Sequence, residues 1–159
     1  MKTNERQMMR RYLITACLLV MAMVAYAQGH IFKGASTYTS DILYTWDGKR
    51  LYRGNSTYQS DIQMTYDGKY VYRGNSGYSS DILYTWDGKH LYRGKSTYTS
   101  DILYTWDGKR LYRGNSTYQS DTVLTYDGKH VYKGQSSYRS DILLTTDATI
   151  PIALLASMW

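Results

Sequence analysis

Apolar and polar residues alternate in short runs beyond residue 34, and the same pattern returns every twenty residues. The six copies start at Gly34, Gly54, Gly74, Gly94, Gly114 and Gly134. The first copy reads GASTYTSDILYTWDGKRLYR, and the fourth differs from it at one position. Self-similarity at a fixed period of this length is typical of a repeat protein. The sixth copy loses the pattern after Asp147 and ends in the apolar segment ATIPIALLASMW.

Each copy predicts a β-hairpin. Asp47-Gly48 lies between two β-prone runs, and Asp-Gly is favoured in two-residue turns with positive φ at both positions. Such a turn pairs Trp46 with Lys49. One face of the hairpin then carries Ile42, Tyr44, Trp46 and Leu51, and the other carries Leu43, Thr45, Arg50 and Tyr52. The position of Leu51 is always Leu or Val, so we expect it to be buried.

The fold class that follows is all-β, with about twelve short antiparallel strands from six 20-residue hairpin repeats, arranged as a meander sheet or as a hairpin solenoid. A parallel solenoid with one copy per rung would stack Asp41 and its equivalents ~4.8 Å apart. Like charges directly opposite each other are destabilising, which favours the antiparallel arrangement. His30–Lys33 matches Arg50–Arg53 and resembles the end of a preceding, partial copy.

The first 27 residues predict a secretory signal peptide. Basic residues precede an apolar run from Tyr12 to Tyr26, and Ala25-Tyr26-Ala27 forms a cleavage site before Gln28. The apolar run is shorter than the ~20 residues of a membrane-spanning helix, so we expect no stable membrane span after cleavage. The predicted organisation is a signal peptide over 1–27, a repeat domain over 28–153 with a partial N-terminal unit, and an apolar capping segment over 154–159. This apolar end could form an edge-covering strand or an assembly contact.

Removal of this leader changes the charge. The full chain has 19 Lys+Arg and 13 Asp+Glu, a net charge of +6, and the leader contains four of the bases and one of the acids. The remaining 15 bases and 12 acids give +3, which argues against nucleic acid as a partner. The single cysteine, Cys17, lies in the leader, so the mature chain has no disulfide, thiol nucleophile or thiolate metal site.

The stretch from Asp47 to Gly54, Asp-Gly-Lys-x-Leu/Val-Tyr-Arg/Lys-Gly, followed by x-Ser-x-Tyr, resembles units of uncharacterised exported bacterial β-hairpin repeat proteins. The resemblance covers about residues 34–159 and implies export but no known activity. The chain is only weakly similar to membrane-occupation-and-recognition-nexus repeats, because it has Tyr52-Arg53-Gly54 without their second half. It is similar in unit length to choline-binding repeats but lacks their paired-aromatic motif, so no choline site carries over.

The sequence argues against an enzyme. Asp41 and Asp47 could be a catalytic carboxylate pair, but the same pair recurs in all six copies, which is typical of residues that serve each unit's fold. The alternative for the Ser-Asp positions is calcium binding. His90 and His130 occupy a position that varies between copies, so we predict no metal site there and no cofactor.

The aromatic columns are the candidate ligand-binding feature. The proposed site residues are Tyr52, Tyr72, Tyr92, Tyr112, Tyr132, Arg50 and Arg110. Flat aromatic faces beside hydrogen-bonding groups suit sugar rings, and repetition gives multivalency; the alternative is cross-strand packing. The predicted function is an exported, non-enzymatic structural or interaction module at the bacterial surface or in the periplasm, or a multivalent carbohydrate-binding protein. Candidate partners are a glycan, another surface protein, or a second copy paired through sheet edges.

Overall fold

The structure is a computed structural model that describes residues 28–159, and the predicted signal peptide over 1–27 lies outside these residues. The strands are β1 (Gly29–Lys33), β2 (Ile42–Trp46), β3 (Arg50–Arg53), β4 (Ile62–Tyr66), β5 (Tyr70–Arg73), β6 (Ile82–Trp86), β7 (His90–Arg93), β8 (Ile102–Trp106), β9 (Arg110–Arg113), β10 (Thr122–Tyr126), β11 (His130–Lys133) and β12 (Ile142–Thr146). One α-helix, α1 (Ile152–Ala156), follows them. A single 3-10 turn precedes each even-numbered strand, the first of them at Thr39–Asp41.

The twelve strands form a closed antiparallel barrel. Each strand pairs with its neighbours in the sequence, and β1 pairs with β12 to close the ring. The prediction of an all-β repeat with twelve antiparallel strands is confirmed, but the strands close into a barrel, so the predicted open meander sheet is wrong. Closure removes the unpaired strand edges that an open sheet would expose. Pairing of two copies through sheet edges is therefore not available to the closed barrel over residues 28–159.

The barrel closes through a hairpin that is split between the two ends of the chain. In the first hairpin, Trp46 lies opposite Leu51. Thr146 lies opposite Ile31 in the same register, so β12 and β1 are the two strands of the sixth hairpin. The partial N-terminal copy thus supplies the strand that the sixth copy lacks.

The hairpin register differs from the predicted one by two residues. Trp46 pairs with Leu51 instead of Lys49, because Gly48 and Lys49 occupy the turn and Asp47 lies before it. Only Gly48 in this turn has a positive φ, at 95°. A shift of two residues keeps every side chain on its original face, which is why the buried position of Leu51 is nevertheless predicted correctly, with none of its surface exposed.

A β-bulge changes the predicted face of Ile42 and its equivalents. The pairing between β3 and β4 shifts after Leu51, so that Tyr52 lies opposite Ile62. A bulge sets two residues of one strand against one of its partner and reverses the alternation beyond it. Ile62 therefore shares the face of Tyr52, whereas strict alternation assigned its position to the other face.

The inner face of the barrel and α1 form the hydrophobic core. Leu154 of the helix is fully buried in the same core cluster as Leu51 and Leu111 from the strands. Ile150 and Pro151 lie near the hairpin turns, and Ser157 Oγ lies 3.4 Å from Met64 Sδ, so the helix runs inward from the turn end of the barrel. The apolar C-terminal segment is therefore a core helix, and the prediction of an edge-covering strand is wrong.

Candidate functional site

The Asp47 carboxylate organises its turn. Its Oδ1 accepts hydrogen bonds from the amides of Lys49 at 2.8 Å and Arg50 at 2.6 Å. Its Oδ2 accepts a hydrogen bond of 2.8 Å from the hydroxyl of Tyr52. The same three bonds recur around Asp67, Asp87, Asp107 and Asp127. This residue therefore ties each turn to the strand that follows it.

These contacts change the acidity of both partners. Burial raises the pKa of Asp127, but hydrogen bonds from His130, Lys129 and Tyr132 outweigh burial and lower it to about 2. Burial and the hydrogen bond to Asp87 raise the pKa of the Tyr92 hydroxyl. The carboxylates are thus held ionised and the phenols protonated, as a structural donor–acceptor pair requires.

The tyrosines that the sequence predicts as a ligand-binding site donate to the turn carboxylates. We call Tyr52, Tyr72, Tyr92, Tyr112 and Tyr132 the turn tyrosines. The first four are only 4–8% exposed, so their aromatic faces are not open to a ligand. Tyr132 is half-buried and lines a groove with Lys129, His130 and Arg139. The contacts of the turn tyrosines are hydrogen bonds from their hydroxyls to the turn carboxylates of the same hairpin.

The two predicted site arginines are also held in the structure. Arg50 donates from Nε to Asn75 Oδ1 at 3.0 Å, and its Nη1 lies 4.0 Å from Asp47 Oδ2. Nε of Arg110 is buried without a hydrogen-bond partner among the described residues. Each arginine also lies beside the turn tyrosine of its own strand, because a side-chain hydrogen bond from Arg50 partly offsets the raised pKa of Tyr52, and one from Arg110 does the same for Tyr112.

A different set of tyrosines is exposed. The members of this tyrosine belt are Tyr38, Tyr58, Tyr78, Tyr98, Tyr118 and Tyr138, one in each loop between hairpins. Each is 74–77% exposed, which makes them the most exposed large hydrophobic side chains of residues 28–159. The sequence signal was the recurrence of Tyr in all six copies among polar neighbours, outside the strand pattern.

The loop around each belt tyrosine is fixed by local hydrogen bonds. Ser56 Oγ donates to Asp61 Oδ2 at 2.5 Å and accepts the Tyr58 amide at 3.2 Å. The Asp61 amide donates to the Tyr58 carbonyl at 2.9 Å. The same arrangement recurs in the other five loops. The backbone therefore presents all six tyrosines in one conformation.

Neighbouring loops also contact each other around the barrel. Lys95 Nζ donates to Ser79 Oγ at 3.1 Å, and Gln135 Nε2 donates to the Gln119 carbonyl at 2.7 Å. In both contacts, one partner directly follows a belt tyrosine in the sequence. The loops that carry successive belt tyrosines, twenty residues apart in the chain, are thus neighbours around the barrel.

Residues 28–159 contain neither a cluster of metal-ligating side chains nor a helix that could span a membrane. No group of three or more His, Cys, Asp or Glu side chains in this part of the chain could hold a metal ion. None of the helices described there is long and apolar enough to cross a membrane.

Comparison with known proteins identifies a family. A family model described as "6-fold beta flower protein" matches residues 31–155, which is most of the chain and includes all twelve strands except the first residues of β1. No curated protein and no solved structure matches the chain.

Proposed function

The chain belongs to the family of 6-fold beta flower proteins, and on that premise we propose that it is an exported, non-enzymatic interaction module that binds its partner through the tyrosine belt. The observation that carries the proposal is the equal exposure, 74–77%, of one tyrosine in each of six equivalent loops. Tyrosine is enriched at protein interfaces because it offers a large contact area with few rotatable bonds and a polar tip.

Six equivalent contacts suit a repetitive partner. A second contact made by an already bound molecule is intramolecular, so several weak sites together reach an avidity well above that of one. The closed barrel and the loop hydrogen bonds hold the six sites in fixed positions, which reduces the entropy lost on binding. A partner that repeats along a surface would use this arrangement best.

A glycan is the second candidate partner. The belt tyrosines are flanked by hydroxyl and amide side chains, such as Thr37 and Thr39 beside Tyr38, and Gln59 beside Tyr58. An aromatic face beside hydrogen-bonding groups is suited to stacking on a sugar ring. This moves the predicted carbohydrate contact from the turn tyrosines to the belt.

Binding to isolated cell envelope tests the proposal. Labelled wild type is compared with a variant in which all six belt tyrosines are replaced by Ser. A matched control replaces the exposed serine two residues after each belt tyrosine by Ala, at Ser40, Ser60, Ser80, Ser100, Ser120 and Ser140. We expect the Tyr variant to lose at least tenfold in apparent affinity and the control to stay within about twofold. Equal binding by the wild type and the Tyr variant would reject the tyrosine belt as the binding surface.

Treatment of the envelope separates the two partner classes. Protease treatment is expected to abolish binding if the partner is a protein, and periodate oxidation of vicinal diols is expected to abolish it if the partner is a glycan. The same variants, with circular dichroism spectra matching that of the wild type, serve in both arms.

A further inference from the structure

A second six-fold set of side chains lies at the end of the barrel opposite to the hairpin turns. The last residue of β1 and of every other odd-numbered strand is basic. The members of this cationic rim are Lys33, Arg53, Arg73, Arg93, Arg113 and Lys133. All six are exposed, and neither the proposed function nor the family description involves them.

The register places the cationic rim on the inner side of the barrel wall. Arg53 lies directly opposite Tyr44, and Arg73 lies directly opposite Met64. The residues opposite the six cations all belong to the hydrophobic core or pack against it. Directly opposite residues point to the same face of a sheet. The six side chains therefore leave the wall from its inner face and surround one mouth of the barrel.

The cations are not neutralised by the protein. Among residues 28–159, the ion pairs involve three histidines and Arg50, so no carboxylate oxygen lies within 4.0 Å of a rim cation. The cleft between Arg113 and Lys133 contains the carboxylate of Asp121. That carboxylate instead accepts hydrogen bonds from Ser116 and Ser120. Arg53 donates from Nη2 to the neutral Gln63 Oε1 at 3.3 Å, and no rim cation is paired with a carboxylate, so their charges remain available to an anionic ligand.

The spacing of the cations indicates the size of the anion. Successive rim residues are two strands apart, ~10 Å along the barrel wall. This distance is close to the Debye length of about 8–10 Å at physiological ionic strength, so the potentials of neighbouring cations add in the mouth. A single phosphate is too small to reach more than one or two such positions. A ligand with several anionic groups can contact several arginines, each of which is suited to bidentate binding of an oxyanion.

We propose that the cationic rim is a binding site for a polyanion that carries several phosphoryl or sulfo groups. The anionic groups contact the arginines around the mouth, with the core layer of Tyr44 and Met64 beneath them. The repulsion among six like charges at one mouth is relieved when the ligand binds. The rim shares no residue with the tyrosine belt, although each rim residue directly precedes a loop that carries a belt tyrosine, and the two proposals are tested with different variants.

Titration calorimetry at low salt tests this site with two probes. Inositol hexakisphosphate represents the phosphoryl class and a fully sulfated oligosaccharide represents the sulfo class. Inorganic phosphate is the comparison that carries a single anionic group. We expect at least one polyanion to bind the full-length protein at least a hundredfold more tightly than inorganic phosphate does. The tighter of the two polyanions identifies the class of the natural ligand. Binding of neither polyanion would overturn the proposal.

A pair of charge-matched variants locates the binding. Arg73→Gln, Arg93→Gln and Arg113→Gln together remove three charges from the rim. The control, Lys69→Gln, Lys89→Gln and Lys109→Gln, removes three exposed charges at the hairpin turns, on the opposite end of the barrel. We expect at least tenfold weaker polyanion binding for the arginine variant and less than threefold for the lysine variant. Equal losses of polyanion affinity in both variants would show that the polyanion responds to the overall charge of the protein, and would overturn the cationic rim as a site.

Discussion

His30 and Asp147 are joined by two hydrogen bonds although 117 residues separate them in the sequence. The His30 amide lies 2.6 Å from Oδ1, and the imidazole Nδ1 lies 2.7 Å from Oδ2. His90 and Asp87 make the same two contacts within one turn, at 2.6 and 2.9 Å. The contact between the chain ends therefore reproduces a turn contact where no turn connects the strands, and it fastens the barrel.

Asp147→Ala is expected to weaken this fastening. Loss of two hydrogen bonds to a charged group costs roughly 1–3 kcal/mol of unfolding free energy. Because no covalent turn joins β12 to β1, we expect amide hydrogen exchange to accelerate across both strands. The control Asp87→Ala removes the two equivalent bonds to His90 and also those from Lys89 and Tyr92, but its turn is covalently connected, so the accelerated exchange should stay near that turn. Unchanged exchange in β1 and β12 of the Asp147 variant would contradict the split-hairpin interpretation.

Acid should destabilise the barrel through the turn carboxylates. The pKa of Asp127 is about 2 in the folded chain, below the ~3.9 of an unfolded aspartate. Its contribution to stability is therefore complete above about pH 4 and is lost as the pH falls through 2. We expect the Tm to be steady above about pH 5 and to fall below pH 4. Asp127→Asn should make this fall shallower, and an identical pH profile would contradict the assignment.

The buried helix is expected to be essential for stability. Leu154 is fully buried in the core cluster, so Leu154→Ala should lower the unfolding free energy by about 2–5 kcal/mol. The control Trp159→Ala changes a side chain that is 44% exposed, and we expect its effect to be much smaller. Chemical denaturation measures both. Similar small losses of unfolding free energy in the two variants would contradict a core position for the helix.

Alanine substitutions at two glycines distinguish the cost of backbone strain in the folded chain from the gain of a less flexible unfolded chain. Gly88 has a φ of 98°, so Gly88→Ala forces an alanine into a left-handed conformation and should cost roughly 1–2 kcal/mol. Gly77 has no positive φ, and a Cβ there meets nothing within 4 Å. Gly77→Ala should be neutral or stabilising by up to about 1 kcal/mol. Thermal melts give the Tm of both variants. An equal change in Tm for Gly88→Ala and Gly77→Ala would contradict a positive φ at Gly88.

The repeat pattern predicts the unit better than the assembly. The buried position of Leu51 and its equivalents follows from their restriction to Leu and Val, and a register error of two residues leaves that face unchanged. The error arose because the Asp47 side chain accepts the turn amides, so that Asp47 precedes the turn instead of occupying it. The bulge that turns Ile62 toward the face of Tyr52 has no signal in the alternation of apolar and polar residues.

Barrel closure and the exposure of each tyrosine depend on how successive hairpins are arranged, which the repeat pattern does not give. The match of His30–Lys33 to Arg50–Arg53 identified a partial copy, but only the pairing with β12 reveals that it completes the sixth hairpin. The five turn tyrosines and the six belt tyrosines both recur at the period of twenty residues, so the sequence does not distinguish them. The hydroxyl of a turn tyrosine bonds to the carboxylate of its own hairpin, whereas the belt tyrosines are exposed. This difference follows from the folded structure and not from the repeat pattern.

An engineered disulfide tests barrel closure most directly. Lys33 and Leu144 are directly opposite each other in the β1–β12 pair, within the Cα separation of less than ~7 Å that a disulfide requires. The full chain with Cys17→Ser, Lys33→Cys and Leu144→Cys is oxidised in air. The control replaces Leu124 instead of Leu144, two strands farther around the barrel. A closed barrel predicts a monomer with an intramolecular disulfide only for the first pair. Free thiols or disulfide-linked dimers for that pair would contradict the closed six-fold barrel.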